Sequence, residues 1–95
     1  MRVTTKELRT ATLALLEHLD TIGQSELEID DDYYWHVPME DAYAPDRTPK
    51  ELTLGQLSHD WDEVTALARG SKEPFGYALV WLAAVLRRVG ERSRW

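Results

Sequence analysis

From Pro74 to Leu86 the chain runs thirteen residues without a charge, and the run has helical rather than strand periodicity. Phe75, Leu79, Leu82, Leu86 and Val89 fall on one face. Tyr77, Val80, Trp81, Ala84 and Val85 cover much of the remaining circumference. Proline suits the first helical position and glycine the position just past the end, so Pro74 and Gly90 bracket a helix over 74–89. A helix that is apolar on nearly all sides has to be covered on more than one side. The other elements must surround it, or a second copy of the chain must. At this length it cannot cross a bilayer, which takes ~20 apolar residues.

Two further helices can be read from local signals. Thr4 and Glu7 have the spacing of a capping box, and Leu8, Ala11, Leu15, Leu19 and Ile22 follow at steps of three and four. Gly23 then ends a helix over 5–22. Thr53 and Gln56 repeat the capping-box spacing ahead of Leu54, Leu57, Trp61, Val64 and Leu67 or Ala68, closed by Gly70, which predicts a helix over 54–68. Gly55, early in that helix, suits a place where another part of the chain comes close. Trp61 and Trp81 lie on apolar stripes and are expected in the core.

The stretch between these helices is of another kind. Residues 26–46 hold eight of the seventeen acidic residues and no Lys or Arg, together with Tyr33, Tyr34, Trp35 and Tyr43. Disordered acidic segments are poor in aromatics, so this mixture points to a recognition surface. Leu27, Ile29, Asp31, Tyr33, Trp35 and Val37 share one parity, the alternation of a half-buried strand with Asp31 as its one violation. The segment is either one bent strand or, the reading preferred here, a hairpin pairing Leu27 to Ile29 with Tyr33 to Val37 around the three Asp. The parity expects Trp35 to be at least half buried. Pro38 predicts an isolated helical turn near 39–43. The fold class is therefore mainly α: a small α or α+β domain, residues 1–95, of three helices with a short extended or hairpin aromatic segment between helices 1 and 2.

The net charge of −6 is unevenly spread, with −8 on residues 26–46 and +4 on residues 69–95. An acidic chain is repelled by phosphate backbones, which disfavours nucleic acid as a partner. The chain has no Cys, which excludes disulfides and thiolate sites and suits a reducing, cytoplasmic setting. The N-terminus lacks the apolar stretch of a signal peptide, and the chain reads as complete from its start. No nucleophile elbow or Gly-rich phosphate loop is present, so no enzymatic activity and no cofactor are expected. Taking Asp30 as the first position of a calcium loop puts Trp35 where glycine is required, and the match fails. His59, Asp62 and Glu63, three and four residues apart on a helix, could share a face and form a weak candidate metal set.

These features lead to the expectation of a non-enzymatic, inhibitor-, immunity- or antitoxin-like protein that binds a basic protein partner. Its binding residues would be Asp30, Asp31, Asp32, Tyr34, Trp35, His36 and Tyr43, with carboxylates steering association and rings anchoring it. Trp95 would need to dock its indole if the C-terminal tail is ordered. One alternative is a self-assembling homo-oligomer in which the −8 segment of one subunit meets the +4 region of another. The other is a metal-binding module or weak metal-dependent enzyme built on His59, Asp62 and Glu63. A homodimer is expected, because short strands and an all-round apolar helix both need cover.

Overall fold

The computed structural model describes residues 1–36 and 53–93. Within them the chain forms α1 (Thr5–Thr21), β1 (Tyr33–His36), β2 (Thr53–Gln56), α2 (Leu57–Ala68) and α3 (Ala78–Arg92). The protein is mainly α, three helices with a short antiparallel strand pair between the first and second. The expected turn near 39–43, Tyr43 and Trp95 lie outside the described residues.

The local signals for α1 act as expected. The Glu7 amide donates to Thr4 Oγ1 at 3.1 Å and the Thr4 hydroxyl donates to Glu7 Oε1 at 2.7 Å. At the other end Gly23 takes φ +80° and the Gln24 amide reaches back to the Leu19 carbonyl at 2.8 Å. Gly70 repeats the arrangement after α2, with φ +78° and Ser71 N–H donating to the Ala66 carbonyl at 2.9 Å. Both are left-handed glycine closures that satisfy carbonyls at a helix end.

The strand pairing differs from the hairpin expected within residues 27–37. Residues 26–32 form no strand, and Tyr33–His36 pairs with Thr53–Gln56 in the register Tyr33 to Gln56, Tyr34 to Gly55, Trp35 to Leu54 and His36 to Thr53. The expected start of the second helix, residues 54–56, is therefore strand. Thr53 lies in β2 instead of at a helix start, and Gln56 is the N-cap of α2 and makes no side-chain cap bond.

The third helix also departs from expectation at both ends and in its cover. Phe75, Gly76 and Tyr77 form a tight turn with i to i+3 bonds, and regular helix begins at Ala78. Gly90 does not stop it, because Arg92, one turn from Arg88, is tied to Asp31 and holds the last turn in place. α3 packs on α2, yet it contains no fully buried residue. Leu79, Val80 and Leu86 are exposed, and Trp61 on α2 is exposed as well, contrary to its expected core position. The buried side chains among the described residues are Leu19, Leu57 and Asp60. No helix among them is long and apolar enough to cross a membrane.

Candidate functional site

The acidic segment splits into carboxylates that hold the fold together and residues that face outward. Asp32, just before β1, takes over the capping that Gln56 does not provide. Its Oδ1 accepts from the Ser58 backbone N–H at 2.7 Å, and its Oδ2 accepts from the Ser58 hydroxyl and the Gln56 amide, both at 2.9 Å. The Asp32 carbonyl also accepts from the Leu57 N–H at 2.6 Å. A carboxylate at the first turn satisfies orphan N–H groups and meets the positive end of the helix dipole. The hydrogen bonds from Gln56 and the Ser58 amide, with the Ser58 hydroxyl, hold its carboxyl below the usual carboxylate range against the opposing effect of burial.

Asp31 reaches the last turns of α3. Arg88 and Arg92, one turn apart on α3, both donate to its Oδ2, Arg92 at 2.6 Å, and Arg88 also donates to the Asp31 carbonyl at 3.2 Å. Burial pushes the Asp31 carboxyl up, but the Arg92 hydrogen bond and the two guanidinium charges outweigh it and lower the pKa. The acidic segment and basic C-terminal region, expected to meet between subunits, thus meet here within one chain. The parity violation at Asp31 is resolved the same way: the residue points inward because two arginines wait there.

Fixing consecutive aspartates to two different helices shifts the alternation that follows. Tyr34, not Tyr33 or Trp35, turns inward. Its hydroxyl donates to Asp60 Oδ2 at 2.5 Å, and Asp60 is 3% exposed. Burial, then the Asp60 hydrogen bond and charge, raise the Tyr34 phenol well above its ordinary value. The Tyr34 ring lies over Gly55, where a Cβ would come within 2.6 Å of both ring Cε atoms. Tyr34, Gly55, Asp60 and Trp81 line a recess of about 320 Å³. Trp81 is ringed edge-on by His59, Phe75 and Tyr77 at 5.5, 5.4 and 5.8 Å between centroids.

Tyr33 and Trp35 consequently face outward, 58% and 67% exposed, and the expected half-burial of Trp35 does not occur. Trp35 sits opposite Leu54, which is also exposed. Tyr33 and Trp35, with Tyr34 between them, line a groove of about 500 Å³ together with Val80, Ala83 and Arg87 of α3. Arg87 is paired with Glu91 at 3.3 Å along the rim.

Of the expected binding residues, Asp30 and Trp35 are exposed, Asp31, Asp32 and Tyr34 make internal bonds, and His36 contributes backbone pairing at the end of β1. Tyr33 and the α3 residues were not anticipated; the signal available for Tyr33 was its shared parity with Trp35. Among the described residues no three His, Asp or Glu side chains gather to hold a metal ion. Glu63 is instead paired with Lys72 at 2.6 Å, and His59 leans 3.3 Å from Asp60. The Lys72 hydrogen bond lowers the Glu63 pKa against burial. Comparison with protein-family models, curated proteins and solved structures finds no match to this chain.

Proposed function

We propose that this protein is a non-enzymatic binding module, acting in the cytoplasm, that docks a basic protein segment on the Tyr33–Trp35 face of β1. The observation that carries the reading is the outward display of two large aromatic rings along a groove, while the neighbouring Tyr34 is turned in and bonded. Exposed aromatic rings pack large contact area at low conformational cost, and Tyr and Trp dominate binding energy at protein interfaces. Glu26, Glu28 and Asp30 lie immediately upstream and are exposed. They are left to steer a basic partner, since Asp31 and Asp32 are committed internally.

The test uses a photo-crosslinking amino acid in place of Leu54, beside Trp35, in the source cells, with and without Tyr33→Ala and Trp35→Ala. The expected outcome is a discrete adduct with a protein that then binds the purified chain, is lost in the double variant, and associates more slowly when Glu26, Glu28 and Asp30 are made Gln or Asn. Adduct and purified binding unchanged by the double variant, at an unchanged unfolding midpoint, would refute the reading.

A further inference from the structure

The recess between β2, α2 and the start of α3 has a buried negative charge in its wall and no permanent cation beside that charge. Asp60, in the first turn of α2, is buried. Its Oδ2 accepts from the Tyr34 hydroxyl, a neutral donor, and its Oδ1 lies 3.3 Å from His59 Nδ1, which is charged only when protonated. No Lys or Arg among the described residues is paired with it. A carboxylate withdrawn from water is costly unless a cation or several hydrogen bonds offset the loss. Asp60 instead borders a cavity of about 320 Å³, at the small end of the range for ligand sites.

Much of the remaining wall is aromatic. Tyr34, His59, Tyr77 and Trp81 line the recess, and Asp60 is the one carboxylate among its lining residues, with no Lys or Arg. Trp81 stands at 86° to His59 and 89° to Tyr77, so these rings do not close on one another as a stack would. The Tyr34 ring fits over Gly55 because that residue has no side chain. An aromatic face carries negative potential and attracts a cation within about 6 Å of its centroid, the more so where the cation is desolvated. The rings and the buried carboxylate therefore act in the same direction and select positive charge. The kind of cation follows from the position of the carboxylate. A primary ammonium or a guanidinium brings N–H donors that need acceptors, and the Asp60 side chain has almost no exposed surface to receive them. A fully methylated ammonium has no N–H to satisfy and gains from the rings and the charge alone.

We infer that the Tyr34–Asp60–Tyr77–Trp81 recess is a binding site for a quaternary ammonium group, the chemistry shared by choline-like small molecules and trimethylated lysine side chains. The inference stands without the Tyr33–Trp35 binding face, although Tyr34 and Val80 border both.

The experiment titrates the full chain with choline and with the tert-butyl analogue of choline, which has the same shape and no charge, following the Gly55 amide and the Trp81 indole N–H by NMR. Choline is expected to saturate both signals with a Kd of ~1–10 mM, and the neutral analogue to bind ~10-fold more weakly or not at all. Tyr77→Leu and Asp60→Asn are each expected to weaken choline ~3–10-fold. Tyr77 is half exposed, so its replacement should leave the chain folded, and Tyr77→Leu decides the matter if Asp60→Asn does not fold. A glycine-flanked peptide carrying trimethyl-lysine forms a second arm. Tighter binding than choline supports the site with a protein side chain as its natural source, and weaker binding supports it with a free small ligand. Absence of a saturable shift up to ~0.1 M choline would overturn the inference. Equal affinity for the neutral analogue, or choline affinity unchanged in folded Tyr77→Leu, would overturn it as well.

Discussion

Removing one oxygen from Tyr34 tests the centre of the structure most directly. Tyr34→Phe keeps the ring over Gly55 and deletes only the hydroxyl that donates to Asp60 at 2.5 Å. Asp60 is 3% exposed, so water cannot freely replace the lost donor, and His59 Nδ1 at 3.3 Å is the nearest other polar contact. A hydrogen bond to a charged group contributes ~1.5–3 kcal/mol, and a carboxylate left short of donors loses that much or more. With a urea slope of ~1.5 kcal/mol/M for a chain of this size, the midpoint should fall by ~1–2 M. The double variant Tyr34→Phe/Asp60→Asn should be less destabilised than the sum of the singles, because the second change removes the charge that the first strands. The pair also has an alkaline signature. The Tyr34 pKa is raised in the folded state above the ordinary 10.0. Its contribution is therefore complete below the unfolded value and is lost as pH rises toward the folded one. Wild type should show one tyrosine that ionises late, only as the fold opens, and Tyr34→Phe should lack it. A variant unfolding free energy within ~0.3 kcal/mol of wild type, with the late-ionising phenol still present, would refute the assignment of Tyr34 as the inward ring.

Other consequences follow from the same contacts. Gly55→Ala should cost ~1–3 kcal/mol in chemical denaturation, because its methyl group would enter the Tyr34 ring and force the strand pair apart. Asp32→Ala should cost ~0.5–2 kcal/mol and shorten α2 at its start, visible as faster amide exchange at Leu57 and Ser58, whereas Asp32→Asn should retain part of the cap. The folded-state pKa values of Asp31, Asp32 and Glu63 are depressed, so their contribution is present above the unfolded carboxylate value and is lost as pH falls through the folded values. The acid limb of a stability profile should accordingly flatten in Asp32→Asn relative to wild type.

Part of this fold is decided by neighbouring residues among themselves and can be read directly from their spacing. The Thr4–Glu7 box, the α1 stripe and the left-handed closures at Gly23 and Gly70 involve groups within a few residues of one another, and each appears where the spacing puts it. Asp31 stood out in the sequence as the one acidic residue of its parity, but its partners were not legible, since Arg88 and Arg92 lie more than fifty residues downstream. Tertiary structure alone decided three things. It paired Tyr33–His36 with Thr53–Gln56 in place of Leu27–Ile29, turning an expected first helical turn into strand. It moved the cap of α2 from Thr53 to Asp32. It also rotated the aromatic segment so that Tyr34 faces Asp60 while Tyr33 and Trp35 face outward. The physical reason is common to all three. Alternation favoured the face of Tyr33 and Trp35, but it reads apolar content alone and is blind to polar partners elsewhere in the chain. The choice falls to a few strong polar bonds, an arginine pair at one aspartate and a helix N-terminus at the next, whose partners come together only when distant parts of the chain meet.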